Sequence, residues 1–184
     1  MKSLKLLMFF WFLIFGLACK ETPVGENEDI QEKTSINSDT DVQNAALEII
    51  ANAYYCSLIT VDEHGVARSR IMEPFPPEEN WEVWMATNPK SRKVEQIETN
   101  NQVTLHYFDK NNLGYVSLMG KAYLVHDNSK KEKYWKDEWK AFYANRTDAY
   151  LLIKFVPEWM EVISVKHGLN GDVVTWEPAS SGVE

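Results

Sequence analysis

The chain has 184 residues, 45% hydrophobic and 25% charged, with 19 basic and 27 acidic side chains and a net charge of −8. That suits one globular domain with a modest extension and excludes collagen, a coiled coil and a wholly disordered chain. Two cysteines exclude a disulfide scaffold and a cysteine-rich metal module, and the acidic balance argues against nucleic acid as a partner, since phosphate backbones need a broad basic face.

Lys2 and Lys5 precede an unbroken apolar run, Leu6 to Phe15, which ends at Gly16-Leu17-Ala18-Cys19. A basic start, an apolar stretch and small residues at the end form the layout of a secretory signal. The run is too short for an ordinary membrane-spanning helix. The cysteine after small residues resembles a bacterial lipoprotein signal: residues 1–18 are removed, and Cys19 carries the lipid. The expected location is then outside the cytoplasm, anchored to a membrane on its periplasmic or cell-surface side. A plain signal peptide is the alternative. Residues 19–41 read as an acidic tether, with seven acids against two bases from Lys20 onward. So few large apolar residues cannot offset the entropy of ordering the segment.

The domain is expected over 42–184. Thr40-Asp41-Val42-Gln43 has the form of a capping box, and Val42, Ala46, Leu47, Ile50 and Tyr54 repeat at helical spacing. Tyr55 to Val61 and Val66 to Met72 read as strands around an Asp62–Gly65 turn. Trp81 to Thr87 is a third strand, Asn88 to Asn100 a helix, and Gln102 to Phe108 and Tyr115 to Val125 two more strands, with Gly120 a candidate bulge. Asn128 to Tyr143 reads as a helix. Tyr150 to Val156 and Trp159 to Val165 read as two late strands. Hairpins with a few helices predict an α+β fold whose antiparallel sheet closes into a small barrel.

The chemistry-bearing window is 66–93. Arg68 and Arg70 share one strand face. Asn88 is a suitable N-cap and Pro89 a suitable first helical residue, which puts Ser91, Arg92 and Lys93 in the first turns. Cations are disfavoured there by the helix dipole. An external anion removes the conflict, because helix N–H groups, the Ser91 hydroxyl and the two cations can converge on a phosphate. The competing reading is a solvated helix with Arg92–Gln96 and Lys90–Glu95 pairs. His64, His106, His126 and His167 show no metal-ligand spacing, and no metal is expected.

The order of these parts resembles a known family. Ala67-Arg68-Ser69-Arg70-Ile71-Met72, then Trp84-Met85-Ala86-Thr87-Asn88 with Ser91-Arg92-Lys93, then Tyr115-Val116-Ser117-Leu118-Met119-Gly120-Lys121-Ala122 are similar to the pyridoxamine 5′-phosphate oxidase-like FMN-binding split barrel, in its bacterial general stress protein branch. The resemblance covers residues 42–165. It implies a split β-barrel with flanking helices and a homodimer with FMN at the subunit interface. The arginine strand (Arg70, Ile71 and Met72, with Arg68 close by) would run beside the flavin. Thr87 and Asn88 would follow at the end of the next strand, and Ser91, Arg92 and Lys93 would grip the phosphate.

Three departures set this chain apart from true pyridoxamine phosphate oxidases. Glu73-Pro74-Phe75 stands where they carry a lysine, Tyr115 falls where they carry a glutamine, and His167 lacks the C-terminal arginine partner. Pyridoxal phosphate synthesis is therefore not expected. The implied activity is that of an FMN-dependent oxidoreductase acting on a small molecule, with NAD(P)H or another electron donor and no identified catalytic side chain. A flavin- or haem-binding protein without turnover, and an interaction lipoprotein that has lost its cofactor, are the alternatives.

Overall fold

The computed structural model describes residues 38–183. The signal segment, Cys19 and the tether as far as residue 37 lie outside the described residues. Helix α1 (Asp39–Ala53) begins directly after Ser38. The Ser38 hydroxyl accepts from the Asp41 N–H at 3.2 Å, and the Asp41 carboxylate accepts from the Ser38 N–H at 3.3 Å. The capping box expected at Thr40 thus sits two residues earlier, because Asp41 is the acceptor that reaches back. Val42, Ala45, Ala46, Ile49 and Ile50 form the buried face of α1.

Seven strands build one antiparallel sheet: β1 (Cys56–Val61), β2 (Ala67–Met72), β3 (Val83–Thr87), β4 (Gln102–Asp109), β5 (Gly114–Val125), β6 (Leu151–Ile163) and β7 (Ala179–Gly182). Their order is β2-β1-β4-β5-β6-β3, with β7 on β6. β1 and β4 alternate buried and part-exposed residues, so one face is core. The β1–β2 turn is fixed by Gly65 at φ +74° and by the Asp62 carboxylate, which accepts from the His64 and Val66 N–H groups.

The two outer strands of that order, β2 and β3, are brought together by the segment after β2. Pro74 bridges Met85, and the Phe75 N–H donates to the Trp84 carbonyl at 2.8 Å. The sheet closes there into a split barrel. α1 packs into the main core with Leu58, Leu105, Leu118, Phe155 and Met160. All five residues of β3 are buried: Val83 and Met85 face the main core, while Trp84 and Ala86 face a second, aromatic cluster with Tyr134, Trp139 and Tyr150. Cys56 is buried, and burial pushes its thiol up to about 12, so it behaves as a small apolar residue. Among the described residues, no helix is long and apolar enough to cross a membrane.

Three expectations need correction. The helix expected over 128–143 is a short α3 (Asn128–Lys133) followed by a 3₁₀ turn, Asp137–Ala141. The two late strands are one, β6, bent where Gly120 faces Pro157 and the register shifts between Met119 and Gly120. The helix expected from Asn88 is α2 (Arg92–Thr99), capped at Ser91.

The bulge at Gly120 depends on the missing side chain, since a Cβ there would lie 2.2 Å from the Val156 carbonyl oxygen and 2.6 Å from the Pro157 Cα. Both are backbone atoms of the partner strand and cannot swing aside. Gly120→Ala should destabilise the fold by about 1–3 kcal/mol or more through overpacking, read as a lower Tm and urea midpoint. Gly182→Ala, where nothing lies within 4 Å, should have little effect.

Candidate functional site

Closure of the barrel places the ends of β2 and β3 side by side. Between them and the 3₁₀ segment lies a cleft of about 390 Å³, within the range of small-molecule sites. Ile71, Met72 and Glu73 from β2 and its exit form one side. Ala86, Thr87 and Asn88 from β3 form the floor, with Lys93 at one end, and Trp139, Phe142 and Tyr143 line the other.

The polar end is built by the β3–α2 connection. Asn88 does not cap α2. Its side-chain oxygen accepts from the Lys90 N–H at 2.8 Å, and its carbonyl accepts from the Ser91 N–H at 3.0 Å, so Asn88–Ser91 is a turn. Ser91 becomes the N-cap, yet its hydroxyl makes no capping bond. It pairs instead with the Thr87 hydroxyl at 3.0 Å, and the Lys93 ammonium donates to the same Thr87 oxygen at 3.0 Å. Arg92 and Lys93 are therefore the first two residues of α2, where main-chain N–H groups lack intrahelical partners.

The cations crowd each other. Burial lowers the Lys93 pKa, and the Arg70 charge lowers it further; burial also lowers Arg70, with Arg92 as the second cause. Among the described residues, neither Arg92 nor Lys93 forms an ion pair with a carboxylate. Gln96, the suggested Arg92 partner, accepts instead from Thr60 at 2.6 Å and from Arg70 at 2.9 Å. The Lys90–Glu95 pair of the competing reading does not form among the described residues. Helix-start donors plus mutually repelling cations, of which Lys93 and Arg70 are partly buried, form an arrangement that an anion would relieve.

The structure divides the nine residues singled out from the sequence. Ile71, Met72, Thr87, Asn88 and Lys93 line the cleft, and Ser91 touches it through Thr87. Arg70 lies against the same cations but spends its donors internally, on the Leu58 carbonyl at 3.3 Å, the Thr60 hydroxyl at 2.7 Å and Gln96. Arg68 is turned away. It pairs with Asp62 at 2.7 Å and lines a separate recess that also holds Arg92.

Sequence reasoning missed Glu73, Trp139, Phe142 and Tyr143. Glu73 accepts from Tyr54 at 2.6 Å, Lys136 at 2.8 Å and the Trp139 indole at 3.1 Å. Burial raises its pKa, but these three donors outweigh burial and hold the carboxyl at about 2. Lys136 lies over the rings of Tyr54, Phe75 and Trp139. An acid directly before Pro74, at the exit of the arginine strand, was the available signal.

An antiparallel split barrel with an anion-ready cleft between two strand ends defines the structural class. A family model described as "Pyridoxamine 5′-phosphate oxidase like" matches residues 41–169. The chain belongs to that family. Among solved structures, it is similar to a Clostridium acetobutylicum protein related to general stress protein 26 of B. subtilis, with 19% identity, TM-score 0.66, and coverage of 80% of this chain and 97% of that one. It is also similar to general stress protein 26 from Bacillus anthracis, with 25% identity, TM-score 0.57, and coverage of 68% and 92%. A third is a pyridoxamine 5′-phosphate oxidase-related, FMN-binding protein from Nostoc punctiforme, with 13% identity, TM-score 0.52, and coverage of 74% and 93%. No curated protein matches the chain.

The Glu73 node carries a pH signature. A carboxyl held at about 2 against an ordinary 4.5 contributes stability above pH 4.5 that is lost as pH falls toward 2. Glu73→Gln should cost about 1–2 kcal/mol at neutral pH, discounted for the partial exposure of the group. The Tm gap from the unsubstituted protein should close across that acid window.

Proposed function

We propose that the protein binds FMN in the β2/β3 cleft and works as an oxidoreductase on a small molecule. The observation that carries this is Lys93, free of a carboxylate partner among the described residues, at the start of α2 at one end of a cleft with apolar and aromatic walls, with Arg70 close behind it and Arg92 beside it in the neighbouring recess. Family membership and the FMN-binding relative support the same reading.

The residues present fit such a cofactor. Arg92, Lys93, the Ser91 hydroxyl and the first N–H groups of α2 would hold the phosphate, with Thr87 orienting both Ser91 and Lys93. Ile71, Met72 and Ala86 would bound the ring, and Trp139 and Tyr143 would exclude water. When bound, the flavin supplies two-electron redox chemistry, and the protein supplies position and electrostatics. The cleft contains no histidine, which favours flavin over the haem alternative, where a histidine is a common axial ligand.

The same reading includes a homodimer. Ile71 lines the cleft and is 68% exposed, and Phe108, Tyr123 and Trp159 are exposed on nearby strands. A second copy covering this face would bury these exposed side chains. Lipid anchoring through Cys19, on the periplasmic or cell-surface side of a membrane, completes the proposal and rests on the sequence of the leader.

The test is an absorption spectrum of the purified protein before and after addition of FMN and desalting. Flavin bands retained after desalting, followed by bleaching with NADH or NADPH, are the expected result. Bands that wash out overturn the cofactor assignment. Arg92→Ala with Lys93→Ala should weaken FMN binding by on the order of 2–4 kcal/mol, roughly 30- to 700-fold. Arg68→Ala, already paired with Asp62, should change it far less.

A further inference from the structure

Phosphate anchoring does not account for the opposite end of the cleft. Trp139, Phe142 and Tyr143 line it. Trp139 and Tyr143 pack into the aromatic cluster, each within 6.3 Å of neighbouring rings. Phe142 has no such aromatic partner among the described residues and is 79% exposed. An aromatic face left open at a cleft mouth is a ligand contact more readily than a packing element.

Charge at this end is set by one residue. Glu73 is the sole anion and Lys93 the sole cation lining the cleft. Lys136 lies behind the wall, with its ammonium 2.8 Å from Glu73. That pairing is complete before any ligand arrives, so the aromatic end is neutral while the other end is cationic.

We propose that the aromatic end takes an uncharged planar aromatic ligand stacked on Phe142, with Glu73 as the specificity-determining residue. By pairing Lys136, Glu73 removes the attraction that an anionic ligand of the same shape would find there. The inference rests on the flavin reading in one respect: the phosphate would fill the cationic end and the ring would lie along Ile71, Met72 and Ala86, which leaves the exposed Phe142 face at the mouth for the second ligand.

The test uses naphthoquinone and its monosulfonate, which share a ring system and differ in charge. Equilibrium dialysis with the full-length chain, FMN-loaded and flavin-free, gives both affinities, and flavin retention is read separately in each sample. Naphthoquinone should bind about tenfold more tightly than the sulfonate. Phe142→Ala should lose about tenfold in naphthoquinone affinity while retaining FMN, and Phe142→Trp should restore it. Glu73→Gln should leave Lys136 unpaired and bring the sulfonate to within about threefold of the neutral probe. Equal affinities in the unsubstituted protein overturn the proposal. So does a Phe142→Ala variant that keeps naphthoquinone binding, or one that loses FMN instead, since the ring then packs on the flavin. Failure to take up FMN sinks the flavin reading, and the probe ratio is then decided on the flavin-free chain.

Discussion

The Phe75 N–H to Trp84 carbonyl hydrogen bond, with the Pro74–Met85 bridge beside it, fixes where the sheet closes. The strand order leaves β2 and β3 as opposite ends of the sheet. Proline at position 74 has no N–H to donate, so the β1–β2 ladder stops at Met72, and the chain is free to cross to β3. That crossing sets Met72 and Glu73 beside Ala86 and Thr87. Every feature of the cleft follows from this juxtaposition: the open Ile71 side chain, the Thr87–Ser91–Lys93 contacts and the approach of the aromatic wall. An unclosed sheet would leave the same residues on two separate edges with nothing between them.

The β3–α2 connection sets cations beside this frame at a local cost. Asn88 uses its side chain to tighten a turn, which shifts the helix start to Ser91 and puts two cations where the dipole disfavours them. Thr87 accepts from Lys93 while buried at the end of β3, so Lys93 is held inward although burial works against its charge. Arg70 stays close through Thr60 and Gln96, which tie β1, β2 and α2 together. Glu95 is the one acid in the first turn of α2, and it forms no ion pair with Arg92 or Lys93 among the described residues. The residues here fit an anion that is not part of the chain.

Much of this was legible in the sequence for identifiable reasons. β1, β4 and β5 show alternation because one face of each meets the core, and the Asp62–Gly65 turn and the Gly120 bulge are chemical requirements of single residues. The Thr87–Lys93 element stood out by its charge placement. The aromatic wall did not. Tyr134, Trp135, Trp139 and Phe142 have helical spacing, but tertiary partners override it: Tyr134 stacks on Trp84 at 4.3 Å, and the Trp139 indole donates to Glu73. Those partners lie fifty or more residues away, beyond any local pattern. Pro157 lies between the two strands expected from the sequence, and it sits opposite Gly120, where the register shifts. β7 is small and polar and carries no apolar alternation to detect.

The cleft must also be reconciled with an acidic chain. A net charge of −8 repels a phosphorylated ligand at long range, and salt screens that repulsion over about 8 Å at physiological ionic strength. The partly buried Lys93 at the start of α2 is screened much less, so attraction dominates only once the ligand is nearly docked. Binding would then depend on short charge-assisted contacts rather than on steering, and those contacts demand the geometry that Thr87 and Ser91 impose. The Glu73–Lys136 pair follows the same logic at the other end. A lysine free to face the cleft would spread positive potential along its whole length and give an anion two places to bind. With Lys136 held against three rings and paired to Glu73, the cationic end is the one place where negative charge is favoured, and the orientation of an amphipathic ligand is fixed by that asymmetry.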